Sequence, residues 1–259
     1  MALAKIARTV RQKGVRSAWK RVMQVAPGYL GGITHWRVAR CRCCGRSTIF
    51  LAHKNGCLEF RTCLFCSANE RYELLALEIR QRFGDRLSEM NVLELDPRSP
   101  LRSLLSSARK YTRSFYEEGC PVPERDGAVC ADITALNFEN NSIDLIVSSD
   151  VLEHVPEFDK ALRETARVLK VGGAHLFTVP PRALTKKRAA IEAGHVVHIE
   201  PPDYHLDPLS TDGILAFWDI GPDLGTMFPT KGLDIRIVRG PAGNSGRIVW
   251  IAERVGGSS

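Results

Sequence analysis

Long apolar runs are missing from this chain. No stretch approaches ~18 consecutive apolar residues, so no membrane-spanning helix is expected. An apolar core segment near the N-terminus is also missing, so no cleavable secretory signal is expected. Acid is absent from the start: the first Asp or Glu is Glu59, while residues 1–58 hold twelve Lys or Arg. After them, 24 basic side chains stand against 29 acidic ones, so the net charge of +7 comes from the head of the chain. The pattern is a mildly acidic body behind a strongly basic head. The apolar fraction, 44% of 259 residues, is ordinary. It suits one domain of usual size plus a small module.

Cysteine is not scarce. Six of the eight lie between Cys41 and Cys66. Clustering of that kind, without a secretory signal, points to metal in a reducing, cytoplasmic setting rather than to a disulfide scaffold. Cys41-x2-Cys44 is followed by Cys63-x2-Cys66, the four-thiolate zinc pattern. Each C-x-x-C turn aims two sulfurs at one point, and Gly45 permits the tight turn after the first. Four ligands close the shell, so the ion is expected to be structural. Cys43 and Cys57 are spare thiols. The boundaries expected are a basic segment over 1–35, a zinc module over 36–75 and a larger domain over 76–259.

Within the basic segment, residues 2–26 carry Leu3, Ile6, Ala7 and Val10 on one helical face. Val15, Trp19, Val22 and Met23 resume the stripe after Gly14. Such a helix can dock on the rest of the chain or lie on an anionic membrane surface, which would make the protein peripheral there. It can also contact RNA phosphates or act as a targeting sequence.

Residues 128–180 set the architecture. Ala128–Ala131 and Ile143–Val147 read as buried strands. Phe158, Ala161, Leu162, Thr165, Val168 and Leu169 keep the period of an amphipathic helix. Gly172-Gly173 is expected to stop it, and Ala174–Val179 to form the next strand. Asn91–Leu95 and Arg113–Tyr116 are earlier strands. Leu233–Val238 and Arg247–Ala252 read as a terminal hairpin, after a last helix broken by Gly221, Pro222, Gly225 and Pro229. A helix is expected from the end of the cysteine module to about Phe83. Alternating strands and helices imply a parallel α/β sheet, with ligands beyond the strands' carboxyl ends.

The segments DITALNFENNSIDLI, SSDVLEHVP and RVLKVGG together resemble the class I S-adenosylmethionine-dependent methyltransferases, type 11-like. The resemblance implies a Rossmann-like, doubly wound, mostly parallel sheet of seven strands. It also implies a site for S-adenosylmethionine. Glu94 and Asp96 would close the first strand. Glu117 would take the ribose hydroxyls, Asp132 the adenine amino group and the Ile133 amide a ring nitrogen. Ser148 and Ser149 would sit beside the sulfonium. The family's Gly-rich first loop is replaced here by LDPRSPL, where Pro97 and Pro100 fix φ and Ser99 can cap a helix. The passage from the cysteine module into this domain resembles a subgroup associated with sugars or cell-surface precursors.

Beyond Pro180 lie a basic patch (Arg182, Lys186–Arg188) and an insertion holding His195, His198 and His205 with Tyr204 and Asp207. Loops there choose substrates. The expectation is a lid over the methyl donor, with His198 or His205 as catalytic base. The function expected is O-methylation of a small molecule or a sugar or glycan precursor. One alternative is a non-catalytic scaffold with a degenerate cofactor site. Another is an RNA methyltransferase, although the body is acidic and no Asn-Pro-Pro-Tyr-like motif follows the fourth strand.

Overall fold

A computed structural model of the chain describes residues 36–52, 61–205, 213–230, 232–240 and 247–256. The basic stripe over 2–26, Cys57 and Asp207 lie outside these residues. The chain divides into two compact units, the first reaching Arg82 and including residues 99–104.

In the first unit, β1 (Trp36–Arg40), β2 (Ser47–Ala52) and β3 (Arg61–Cys63) form an antiparallel sheet in that order. The helix α1 (Glu70–Phe83) follows, as the sequence predicts. Leu74, Leu75, Ala76 and Ile79 make its buried side. Glu70 and Glu73 stand in its first turn and Arg80 and Arg82 in its last, the charge order that complements the helix dipole.

The second unit is built on eight strands. These are β4 (Asn91–Glu94), β5 (Lys110–Phe115), β6 (Glu124–Arg125), β7 (Ala128–Cys130), β8 (Ile143–Ser149), β9 (Leu169–Thr178), β16 (Leu233–Arg239) and β17 (Ile248–Arg254). Their order is β16-β17-β9-β8-β4-β5-β7-β6. The neighbours from β7 through β9 run parallel, and β17 and β16 close the far side antiparallel. This is the expected Rossmann-like, doubly wound and mostly parallel sheet. Its eighth strand is the addition: β6, two residues long, folds back antiparallel on β7 through a turn at Asp126-Gly127. The chain winds outward from β4 to β5 and β7, then returns to β8 on the other flank. The switch point therefore lies between β4 and β8, where such sheets bind ligands.

Helix is sparse around this sheet. Between β4 and β5 only α2 (Arg102–Leu105) forms, and among the described residues none intervenes between β5 and β7 or between β7 and β8. The main helix is α3 (Phe158–Val168), whose buried residues Phe158, Ala161, Leu162, Thr165 and Val168 are the stripe read from the sequence. Phe158, Ala161 and Leu162 join Phe177, Val179, Ile248 and Trp250 in one core cluster, and Val168 joins Leu93 and Ile146 in another. Each such apolar side chain contributes ~1.5–3 kcal/mol by leaving water.

Gly172-Gly173 does not stop the helix. The turn comes at Leu169, which is already extended and starts β9. The glycines sit within β9, where pairing slips from Ile143↔Leu169 to Leu145↔Ala174. Gly172 has φ +78°, and a Cβ on Gly173 would lie 2.9 Å from the Asp144 and Lys170 carbonyl oxygens. The pair therefore makes a bulge that only glycine fits.

After β9 the insertion forms small antiparallel pairs. β10 (Lys186–Lys187) joins β15 (Trp218–Asp219), and β11 (Ala189–Glu192) joins β12 (His195–His198). β13 (Tyr204–His205) joins β14 (Ile214–Leu215). The last helix shrinks to α4 (Leu224–Met227), as its prolines and glycines require. One further departure concerns the two cysteines outside the cluster. Cys120 and Cys130 are joined in a disulfide that closes the loop between β5 and β7, which the clustering argument did not anticipate.

Candidate functional site

Four strands of the second unit end side by side, at Glu94, Phe115, Cys130 and Ser149. Glu94 is buried and accepts a hydrogen bond from the Tyr111 hydroxyl. Burial, reinforced by Glu94, pushes the Tyr111 phenol upward. The loop after β4 lacks glycine but is held in another way. Asp96 Oδ1 accepts the Arg98 amide at 2.8 Å, and Arg113 Nη1 donates to the Pro97 carbonyl at 2.9 Å. The same guanidinium reaches the Asp126 and Gly127 carbonyls at 2.8 and 3.1 Å. Arg113 thus ties the first loop to the β6–β7 turn, a role the sequence reading missed.

Just past β7, Asp132 Oδ1 accepts the Thr134 amide at 2.7 Å and the Thr134 hydroxyl at 2.8 Å. Its other oxygen takes no hydrogen bond among the described residues, so one acceptor is left beyond the strand ends. Neighbouring Tyr116 is exposed, and its phenol is pushed upward by partial burial and by Asp132. Ile133 buries its side chain in the core cluster. Glu117, the residue expected to meet a ribose, pairs instead with Arg125 at 2.5 Å. The Cys120–Cys130 bond closes the loop between Glu117 and Asp132.

Beside the switch point, Ser149 Oγ lies 3.0 Å from Thr178 Oγ1. Ser148 turns its hydroxyl the other way, 2.9 Å from Nε2 of the buried His175. Burial lowers the His175 pKa to about 3. Asp150, at φ +52°, is bound by Arg247 at 3.2 Å and by Thr178 Oγ1 at 3.3 Å. Asp and Asn tolerate that conformation better than most residues.

Directly after Asp150, the 3-10 turn Leu152–His154 brings up Glu153 and His154, which face His205 of β13. Glu153 is 1% exposed, and neither of its carboxylate oxygens accepts a hydrogen bond among the described residues. His205 Nδ1 stands 3.5 Å from Glu153 Oε1, and His154 Nε2 stands 3.7 Å from it. His154 Nδ1 is 2.9 Å from the Leu215 carbonyl, and His205 Nε2 is 3.7 Å from Asp203. The two rings meet edge to face at 4.9 Å. Glu153 raises the His205 pKa against the opposing effect of burial. The approach of β13 and β14 depends on Gly213, where a Cβ would lie 2.7 Å from the His205 carbonyl oxygen.

Of the two histidines offered as base, His205 therefore joins an acidic, buried group. His198 belongs to the exposed strand β12, opposite Ala189. The basic patch does not stand alone: Arg182 pairs with Asp203 and Asp219, Arg188 with Asp219 and Lys186 with Glu200. Glu153 and His154 were legible only as part of the E-H-V-P run. Their partner in β13, His205, was singled out with His198 in the insertion, but its pairing with Glu153 was not.

In the first unit, Cys41, Cys44, Cys63 and Cys66 converge, with all four sulfurs within 4.8 Å of one another. The Cys41–Cys66 and Cys44–Cys63 sulfurs lie 3.6 and 3.9 Å apart. Sulfurs at 2.3 Å from a tetrahedral zinc would be ~3.8 Å apart, so the donor set fits that ion. The knuckles are twins. Gly45 and Ser67, at φ +73° and +62°, donate their amides to the Cys41 and Cys63 carbonyls at 2.8 and 2.9 Å. Buried Glu73 braces the cluster: its Oε1 lies 3.1 Å from Cys41 Sγ and accepts the Arg42 amide at 2.9 Å. Cys43 is outside the set and lies 3.4 Å from the Tyr72 carbonyl.

Among the described residues no helix is long and apolar enough to cross a membrane. Residues 87–177, about a third of the chain, match the methyltransferase domain family. The biotin biosynthesis bifunctional protein BioHC of Cellvibrio japonicus (strain Ueda107) is 37% identical over 79 residues, 30% of this chain. The chain spans only 16% of that protein's length. An S-adenosylmethionine-dependent methyltransferase from Mesorhizobium loti is 15% identical with a TM-score of 0.46, over 71% of this chain and 99% of that one. The YcgJ protein of Bacillus subtilis is 14% identical with a TM-score of 0.41, over 70% of this chain and 98% of its own.

Proposed function

From the match of residues 87–177 to the methyltransferase domain family, we propose that this chain uses S-adenosylmethionine to methylate an oxygen of a small acceptor, with a sugar or glycan precursor the class preferred. The observation that carries the acceptor side is the buried Glu153 with His154 and His205, placed just beyond the carboxyl end of β8. S-adenosylmethionine, when bound, supplies a methyl carbon activated by a sulfonium. The residues fit it at the nucleoside end, where Asp132 keeps a carboxylate oxygen open beside exposed Tyr116. Asp132 would hold the adenine amino group and Glu117 the ribose, while Ser149 and the Asp96 loop would border the rest. Held by Asp132 and Glu117, the cofactor would supply its methyl group to the acceptor oxygen and leave as the neutral thioether. The hydroxyl proton leaves to His205, whose imidazole is held by Glu153. Binding in line and exclusion of water account for much of such a rate enhancement.

The reading makes Asp132 a cofactor contact. Asp132→Ala is expected to weaken S-adenosylmethionine binding about tenfold in calorimetry, the scale of one charge-assisted hydrogen bond. Unchanged affinity would remove Asp132 from the site, and no binding by the wild type would favour the scaffold reading. The four cysteines are assigned a structural zinc ion on the fit of their sulfur separations.

A further inference from the structure

We propose that Glu153, His154 and His205 form a second metal site, one that takes a divalent first-row transition-metal ion through two nitrogens and a carboxylate. The three donor atoms lie within 4.8 Å of one another, with the two nitrogens 3.5 and 3.7 Å from Glu153 Oε1. Donors at 2.0–2.2 Å from a tetrahedral ion stand ~3.4 Å apart, so small adjustments close the shell. Each imidazole also has an outer partner on its other nitrogen. The Leu215 carbonyl, 2.9 Å from His154 Nδ1, fixes the proton there and leaves Nε2 with its lone pair. Asp203, 3.7 Å from His205 Nε2, gives that atom an anionic neighbour while Nδ1 is turned to Glu153. Carboxylates and carbonyls behind metal-binding histidines set the tautomer in this way.

The second observation is Glu153 itself. It is 1% exposed, and neither oxygen receives a hydrogen bond among the described residues. A buried carboxylate without donors is costly unless a cation meets it. A cation placed between Oε1 and the two lone pairs satisfies all three groups at once. The donor set is borderline in softness, which suits zinc, iron, cobalt, nickel or manganese in their divalent states. Three protein ligands leave a fourth position open, the mark of a site that receives a small oxygen ligand. On the methyltransferase reading that ligand is the acceptor hydroxyl. The ion would lower its pKa so that the proton is lost to solvent before methyl transfer, and His205 would then serve as ligand rather than base.

Cobalt(II) titration of the metal-stripped full chain tests the site, read by visible absorption. Calorimetry with S-adenosylmethionine is run on the same samples. The wild type is expected to take up one more equivalent than either His205→Ala or His154→Ala. That equivalent should show weak d–d bands without the intense thiolate charge-transfer absorption of the four-cysteine site, whose signal the variants should keep. Equal uptake by wild type and both variants overturns the proposal. If a variant does not fold, the wild-type spectrum decides, and thiolate-bound cobalt alone overturns it. Retained cofactor binding in that case leaves the methyltransferase reading standing. Loss of cofactor binding with the extra equivalent present would fell that reading and spare the metal site.

Discussion

His175 has consequences beyond the site. Its ring is fully buried in β9, tilted against Phe177 at 5.0 Å and 2.9 Å from the Ser148 hydroxyl. Burial lowers its pKa from 6.5 to about 3. The folded chain therefore keeps this imidazole neutral where the unfolded chain would protonate it. The sign follows: stability is unaffected above about pH 6.5 and falls as pH drops below it, until the folded pKa is reached. At pH 5 the loss from this residue is about 2 kcal/mol at 1.36 kcal/mol per pH unit. Urea unfolding at pH 7 and pH 5 checks this. His175→Gln, which keeps a partner for Ser148, is expected to lose about 2 kcal/mol less than the wild type between the two. Parallel losses in both proteins would assign the acid sensitivity elsewhere.

The strand β9 and its bulge decide how the sheet is phased. A methyl group on Gly173 would press on the Asp144 and Lys170 carbonyl oxygens, both backbone atoms with little freedom. Gly173→Ala is expected to cost about 1–3 kcal/mol, seen as a lower urea midpoint with an unchanged slope. An unshifted midpoint would mean that the bulge rearranges freely. This element also marks the boundary of what the sequence reveals. The stripe of α3 and the apolar runs of β4, β7 and β8 are local periodicities, so they were legible. The Gly172-Gly173 pair was read as a helix stop because a glycine pair signals a break without saying which element it interrupts. The strand β6 is only two residues long and has no pattern of its own. The candidate site was half legible. Asp132 and Ser149 follow from strand ends, whereas Glu153 meets His205 from some fifty residues away. Arg247 reaches Asp150 across 97 positions, a pairing that only the closed sheet creates.

Two kinds of stabilisation operate in the whole molecule. The second unit rests on its apolar sheet core. The cysteine-bearing unit has its own buried apolar residues, among them Phe50, Leu74, Leu75 and Ile79, and adds four convergent thiols whose metal affinity would be folding free energy. Purified protein is expected to hold zinc at about one equivalent in that unit, and Cys63→Ser to lose that zinc and soluble expression together. Elemental analysis checks it, and a soluble wild-type protein without zinc would end the assignment. The disulfide makes the opposite demand on its surroundings. Cys120 and Cys130 enclose an eleven-residue loop, and closing it restricts the unfolded chain by roughly 2.7 kcal/mol on the chain-entropy estimate. A strong thiol reductant keeps Cys41, Cys44, Cys63 and Cys66 ready for metal, yet it cuts the link between Glu117 and Asp132. An oxidising solution keeps that link and threatens the thiolates. No single buffer favours both ends of this chain before metal is bound, so the order of loading and oxidation governs which protein is recovered.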